Sequence, residues 1–313
     1  MANRKAPKRL LVKAGVVLVI VFLVLAISVP GARERGMLLF AKLTGSSTTA
    51  WREVAVQMLP FRWQERARQL IPRRAVEWNR QLDFPLPPDS KQRVSHILFE
   101  GPTPNLRVLD CHFTVLPQDQ IPHPPHVHDD EEIILPLSGE VDIIRADTAD
   151  AEKIQVERVG FGYLVYHPSR LPHTIRAVGP GPSGYLVFRW STAPDTAMPR
   201  EAIAPQSFDL RNALDAAPGG LEHLSRSLIF EGPTRHLARL HAHLSFARPG
   251  YGSEPHQDPH DVAVLVLRGS VETTTGRVEA PGVIFHPARK THFLRNVGEG
   301  TAQYLAIEFL KRD

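Results

Sequence analysis

Apolar and polar residues follow three different rhythms along the 313-residue chain. The first is an uncharged run of sixteen residues, 14–29 (AGVVLVIVFLVLAISV), preceded by Arg4, Lys5, Lys8, Arg9 and Lys13 and followed by Pro30. Its length sits between a signal-peptide core and a short spanning helix, and an uncleaved membrane anchor is the favoured reading. The five N-terminal basic residues against Arg33 and Arg35 place the N-terminus in the cytoplasm and the body outside it, in the periplasm if the cell is bacterial. In the second rhythm, over residues 51–82, apolar side chains recur at helical spacing: Trp51, Ala55, Met58, Leu59, Trp63, Ala67, Leu70, Ile71, Ala75, Trp78 and Leu82. Pro60 and Pro72 cut this stretch into short helices with arginines on the other face. Such a basic collar packs on the next domain, on a second protomer to give a homo-oligomer, or on lipid headgroups.

Beyond residue 92 the rhythm changes to short apolar runs broken by Gly and Pro, which predicts an antiparallel sandwich or barrel. This part also repeats itself. Residues 98–106 read LFEGPTPNL and residues 229–237 read IFEGPTRHL, while 167–179 read HPSRLPHTIRAVG and 286–298 read HPARKTHFLRNVG. Two copies of one unit of about 100 residues therefore follow each other. The expected organisation is an anchor segment at 1–35, the basic helical region and linker at 36–92, a first barrel at 93–200 and a second at 201–313.

Composition narrows the options. One Cys, Cys111, excludes a disulfide framework and thiolate zinc fingers, and 28 prolines argue against long helices. Residues 1–93 carry 17 Lys and Arg against 6 Asp and Glu, net +11, while the rest carries 20 against 27, net −7. A basic head beside an apolar run fits a membrane surface, so no nucleic-acid partner is expected.

Chemistry concentrates in the run His126-Val127-His128-Asp129-Asp130-Glu131-Glu132. Side chains two apart on an extended strand share a face, so His126, His128 and Glu132 converge if the run is extended. His173, in the second repeated motif, supplies a fourth ligand. Three imidazoles and one carboxylate suit a divalent transition metal, Fe or Mn first, with Ni, Zn or Cu as alternatives. Asp129, Asp130 and Glu131 read as a solvated rim.

This constellation resembles the cupin superfamily, and the duplication makes it similar to a bicupin. The first motif is His126-x-His128, three residues, Glu132, six residues, Gly139, with Gln120 in place of its opening Gly. The second is Gly162, five residues, Pro168, then His173, with Arg170 in place of its second Gly and Ala177 in place of Asn. The resemblance covers residues 93–313. It implies an all-β chain of two tandem jelly-roll barrels, preceded by the N-terminal signal or transmembrane helix and the short helical segment. It also implies a metal inside the first barrel on His126, His128, Glu132 and His173.

In the second copy Val262 replaces the ligating Glu, which favours a structural barrel, although His256, Asp258, His260 and His292 leave a weaker site open. Candidate catalytic groups near the first site are His123 and His167, as general bases or second donors to the ligands. Arg176, which recurs as Arg295, is a further candidate as a clamp for a carboxylate substrate, with a structural salt bridge as the competing role. The function expected is a membrane-anchored, metal-binding oxidoreductase or decarboxylase acting on a small polar organic or sugar-derived molecule. A non-catalytic binding or scaffold barrel with a structural metal is the alternative.

Overall fold

The structure, a computed structural model, describes residues 78–82, 92–146, 153–192, 198–215 and 223–312. The expected membrane segment at 14–29 and the collar up to residue 77 lie outside the described residues. Among the described residues no helix is long and apolar enough to cross a membrane. The first copy contains β2 (Val94–Gly101), β3 (Val108–Leu116), β4 (Glu131–Ser138), β5 (Glu140–Ala146), β6 (Ile154–Gly160), β7 (Tyr163–His167), β8 (His173–Val178) and β9 (Ser183–Ser191). It is preceded by β1 (Trp78–Gln81) and followed by β10 (Gln206–Asp209) and the five-residue α1 (Arg211–Asp215). The second copy contains β11 (Leu224–Gly232), β12 (Arg239–Ala247), β13 (Gly252–His256), β14 (Asp261–Arg268), β15 (Ser270–Thr273), β16 (Gly276–Glu279), β17 (Gly282–His286), β18 (His292–Asn296) and β19 (Ala302–Leu310).

Each copy is a large sheet facing a small one. The large sheets run β10-β7-β4-β9-β3-β2 and β1-β17-β14-β19-β12-β11, and the small ones β6-β5-β8 and β13-β18-β15-β16. Every pairing is antiparallel. Between large and small sheet of the first copy lie Ile134, Val141, Ile143, Val165, Ile175, Tyr185 and Val187; the second copy encloses Val262, Val264, Val266, Val271, Ile284, Leu294 and Tyr304. A third core lies between the copies, where Ile133, Tyr166, Phe188 and Trp190 meet Phe285, Leu305, Ile307 and Phe309. The rings of Trp190 and Phe309 touch edge to face at 5.2 Å.

This packing explains the sequence pattern. The large-sheet strands are buried on both faces, so β14 and β17 are almost continuously apolar instead of alternating. The outward face of β6 is wet, and its hydrophobic content drops accordingly.

Two strands correct the sequence reading. Residues 78–81, expected at the end of a helix, form β1 and pair with β17 of the second copy. The β10 segment, expected in the second barrel, pairs with β7 of the first. One edge strand of each large sheet thus comes from the segment preceding the other copy or following its own.

Two left-handed positions show how the motif glycines work. Gly139 (φ 67°) turns β4 into β5, and a Cβ there would sit 2.7 Å from Ser183 Oγ and 2.9 Å from the Pro182 carbonyl oxygen. The opening Gly of the first motif, for which Gln120 stood in sequence, is replaced in space by Asp119 (φ 59°). Its N–H donates to the Ala177 carbonyl at 3.1 Å, as that of Gly250 (φ 82°) donates to the Asn296 carbonyl at 2.9 Å. Asp tolerates this region better than most residues.

Candidate metal centre

Two strands, an isolated bridge and a bend build the site in the first copy. His126 forms an isolated antiparallel bridge with His173, through reciprocal N–H···O bonds of 3.2 Å. The chain then bends at residues 129–130 before entering β4, so the ligands do not come from one extended strand as the spacing suggested. The bend turns His128 inward: its Nδ1–H donates to the Asp130 carbonyl at 2.9 Å, leaving Nε2 3.2 Å from Glu132 Oε2. His173, at the start of β8, is held the same way, with Nδ1–H donating to the Leu171 carbonyl at 2.8 Å and Nε2 3.5 Å from the same carboxylate oxygen. One backbone N–H tightens the arrangement, as Arg170 (φ 66°) donates to the His128 carbonyl at 2.8 Å. Arg289 (φ 63°) repeats this toward the Asp258 carbonyl at 2.7 Å.

His128, Glu132 and His173 offer ligand atoms that all lie within 4.8 Å of one another. Tying Nδ1–H to a carbonyl fixes the tautomer and presents the Nε2 lone pair, the orientation a metal-binding imidazole needs. His126 stands outside this trio. Its ring lies 5.1 Å from that of His128 and 5.3 Å from that of His173, and its buried Nδ1 has no hydrogen-bond partner. Burial raises the Glu132 carboxyl, yet the contacts with His128 and His173 outweigh it and hold it well below the usual range. For His173 burial acts downward, and the carboxylate wins, leaving the imidazole raised. Burial and the neighbouring imidazoles push His126 down to about 4. The donor set, two tethered imidazoles on one carboxylate with buried nitrogens lacking partners, fits a divalent transition ion.

The other sequence candidates take distinct places. His167 ends β7 directly opposite Glu132, fully buried, with its ring 4.3 Å from His173 and neither nitrogen hydrogen-bonded. His123 lies half-buried against His126, ring centroids 4.0 Å apart, with Nδ1 3.1 Å from the Pro124 carbonyl. Arg176 lies elsewhere. Three residues beyond His173 on β8 it takes the opposite face, where Nη2 reaches Asp142 at 2.6 Å. Arg158 binds the same buried carboxylate at 3.0 Å, so the geometry matches the salt-bridge role and not the clamp. Arg176→Ala is therefore expected to cost about 1 kcal/mol or less, since the guanidinium is well exposed, and to leave metal content unchanged; melting and elemental analysis check both.

Sequence reasoning missed two residues here. Arg189 on β9 is the direct neighbour of Glu132, with Nη2 3.2 Å from Asp110 Oδ2 and Nε 3.7 Å from Asp130 Oδ2. Its even spacing from the buried Val187 in GYLVFRW was the available signal. Glu131, read as rim, is fully buried and faces the second copy. It accepts hydrogen bonds from Trp190 Nε1 (2.9 Å), Thr234 Oγ1 (2.6 Å), the Arg235 N–H (2.7 Å) and the His236 N–H (3.4 Å). The mirror contact exists as well: Asp261 accepts from Thr103 Oγ1, the Asn105 N–H (3.3 Å) and the Ala288 N–H (2.8 Å). The repeated GPT segments are thus reciprocal straps, each tying its copy to the acidic residue at the head of the other's central strand. Cys111 is buried, and burial pushes its thiol well up, as an inert core thiol requires.

In the second copy, His256, Asp258 and His292 also come together. His256 and His292 place Nε2 3.5 and 3.2 Å from Asp258 Oδ2, while their Nδ1 atoms bond the Glu254 and Lys290 carbonyls. His260, expected with them, turns away to Glu308 at 3.0 Å.

No protein-family model matches the chain, and no curated protein matches it. Solved structures do. An oxalate decarboxylase structure concerned with substrate binding mode and reaction specificity is 16% identical, covering 72% of this chain and 78% of that chain with a TM-score of 0.50. A variant of the Bacillus subtilis oxalate decarboxylase is 17% identical over 71% of this chain and 78% of that chain (TM-score 0.49). Another structure of the Bacillus subtilis enzyme, studied for its Mn(II) centres, is 16% identical over 72% and 78% (TM-score 0.48). At these identities the likeness is one of fold. It supports a fold of two tandem β units, each a large sheet facing a small one, like that of the oxalate decarboxylase structure.

Proposed function

We propose that the first barrel is a divalent-metal centre, with Fe or Mn as the resident ion, and that it acts as a decarboxylase or oxidoreductase on a small carboxylate-bearing molecule. The observation that carries this reading is the convergence of His128 Nε2, Glu132 and His173 Nε2, each imidazole fixed by a carbonyl on its other nitrogen. His126 is the fourth ligand, its ring 5.1 Å from that of His128 and 5.3 Å from that of His173. The ion would supply a Lewis acid, or a one-electron centre, at the mouth of the barrel.

The protein's own residues define what enters. The barrel interior is filled by Ile134, Ile143, Val165, Ile175 and Val187, so a substrate stays at the mouth. Arg189, one strand from Glu132, is the cation positioned to hold a substrate carboxylate, exchanging Asp110 or Asp130 for it. His167 packs behind His173 and fixes its ring, and the half-exposed His123 beside His126 is the group able to carry a proton to solvent.

Oxalate, on which the fold neighbours act, is the first compound to assay, with carbon dioxide release and oxygen uptake measured together. Arg189→Ala is expected to raise KM on the order of 10²-fold, the loss of one charge-assisted carboxylate pair, while metal content stays at wild-type level. An unchanged KM removes the residue from the substrate site. The reading also keeps the chain on a membrane through residues 14–29, supported by the sequence pattern alone. The full chain is then expected to resist alkaline carbonate extraction, and release by carbonate would reject the anchor.

A further inference from the structure

At one row of the large sheet the two copies carry opposite chemistry. In the first, Arg189 on β9 is flanked by Asp110 on β3 and by Asp130 at the entrance of β4. The repeat places Glu308, His241 and His260 at these three positions of the second copy, with His243 in the place of His112. A guanidinium between carboxylates has become a carboxylate between imidazoles. In the same row Val262 has lost the carboxylate that Glu132 supplies, and Glu308 is its direct strand neighbour. The second barrel has therefore kept a carboxylate at its mouth, displaced by one strand.

The side chains around Glu308 are arranged as ligands. His241 Nδ1 lies 2.7 Å from Glu231 Oε2, and Glu231 is also held by Arg239 at 3.3 Å. That carboxylate takes the Nδ1–H and leaves the Nε2 lone pair pointing inward, the carboxylate–histidine pairing found behind metal ligands. His241 Nε2 is 3.2 Å from His243 Nδ1, and His243 Nδ1 is 3.7 Å from Glu308 Oε1. On the far side His260 Nε2 lies 3.0 Å from Glu308 Oε2, and its Nδ1 is buried without a hydrogen-bond partner. The ligand atoms of His241, His243 and Glu308 all lie within 4.8 Å of one another. Ligands about 2.1 Å from one ion in tetrahedral arrangement stand roughly 3.4 Å apart, close to the 3.2 and 3.7 Å separations of His243 Nδ1 from His241 Nε2 and Glu308 Oε1. All four side chains are partly buried yet reach solvent, so an ion can enter.

We propose that His241, His243 and Glu308, with His260 as a fourth donor, form a second divalent transition-metal site, built at a position where the first barrel carries an arginine and can hold no cation. Two imidazoles and a carboxylate on one face suit Zn(II), Co(II) or Fe(II). This site uses none of the residues of the first centre and stands whether or not that centre is catalytic.

Co(II) titration of the full chain tests it, in a background that removes the other two clusters: Glu132→Gln, His173→Ala, Asp258→Asn and His292→Ala. This background is expected to bind one equivalent of Co(II) with a visible d–d spectrum, and adding His243→Ala and Glu308→Gln is expected to abolish both. A background that binds none, or one whose spectrum survives the two further changes, overturns the proposal. Should the background not fold by circular dichroism, anomalous diffraction from wild-type crystals soaked in Zn(II) decides. A peak between His241 Nε2, His243 Nδ1 and Glu308 supports the site, and its absence there overturns it. The first centre's own test, the metal content of Glu132→Gln, is read in a His243→Ala and Glu308→Gln background, so that ion held in the second barrel does not enter it.

Discussion

Glu132→Gln and His173→Ala are each expected to strip the first barrel of its ion, lowering affinity on the order of 10²-fold or more. A structural transition-metal site of four protein ligands binds with about 10–16 kcal/mol, so one ligand carries about 3 kcal/mol, and 1.4 kcal/mol is tenfold. Glu132 is the strongest case because both imidazoles of the trio aim at its Oε2, at 3.2 and 3.5 Å. His126→Ala is expected to do less, about tenfold to 10²-fold, because its ligand atoms stand outside the trio. Elemental analysis of protein purified without chelators, corrected for ion in the second barrel with the variants described above, measures this order. Wild-type metal content in either Glu132→Gln or His173→Ala would remove the first centre.

The second large effect concerns the joint between the copies. Glu131→Ala should destabilise the two-barrel unit by about 3–5 kcal/mol, since four donors, two of them backbone N–H groups, lose a buried acceptor that sits between the barrels. Burial pushes the Glu131 carboxyl up, and those donors act against it, so the group's cost is met only while all of them point at it. For a unit of this size each kcal/mol shifts Tm by about 2–4 °C, which puts the variant roughly 10 °C below wild type. Glu131→Gln keeps one acceptor oxygen and should fall less far. Asp261→Ala is the mirror test on the other strap. A Tm within about 2 °C of wild type for Glu131→Ala would mean the straps do not hold the copies together. Because Glu131 heads the strand that carries Glu132, metal content of this variant at low temperature also separates a loosened joint from a lost site.

The sequence alone determined the duplication and the β character of the described residues, and it named His126, His128, Glu132 and His173 as one ligand group, of which the structure brings His128, Glu132 and His173 together. Each of those is written in local spacing: turn residues every few positions, two near-identical segments, and a His-x-His followed by Glu at a fixed distance. The convergence inferred from strand parity concerned His126, His128 and Glu132, with His173 added from another strand; what turns His128 toward Glu132 is a bend at 129–130 and a carbonyl contact, which no two-residue period encodes. Only the tertiary structure decided that Glu131 faces inward, that Arg189 rather than Arg176 neighbours the centre, that residues 78–81 are a strand, and that Glu308 gathers three histidines. These are relations between strands far apart in the chain, such as Glu131 with Thr234 and Glu308 with His260. Alternation tells which side of a strand a residue takes; the free energy of the buried polar pair across it depends on what another strand brings to that side, and periodicity carries no record of that partner.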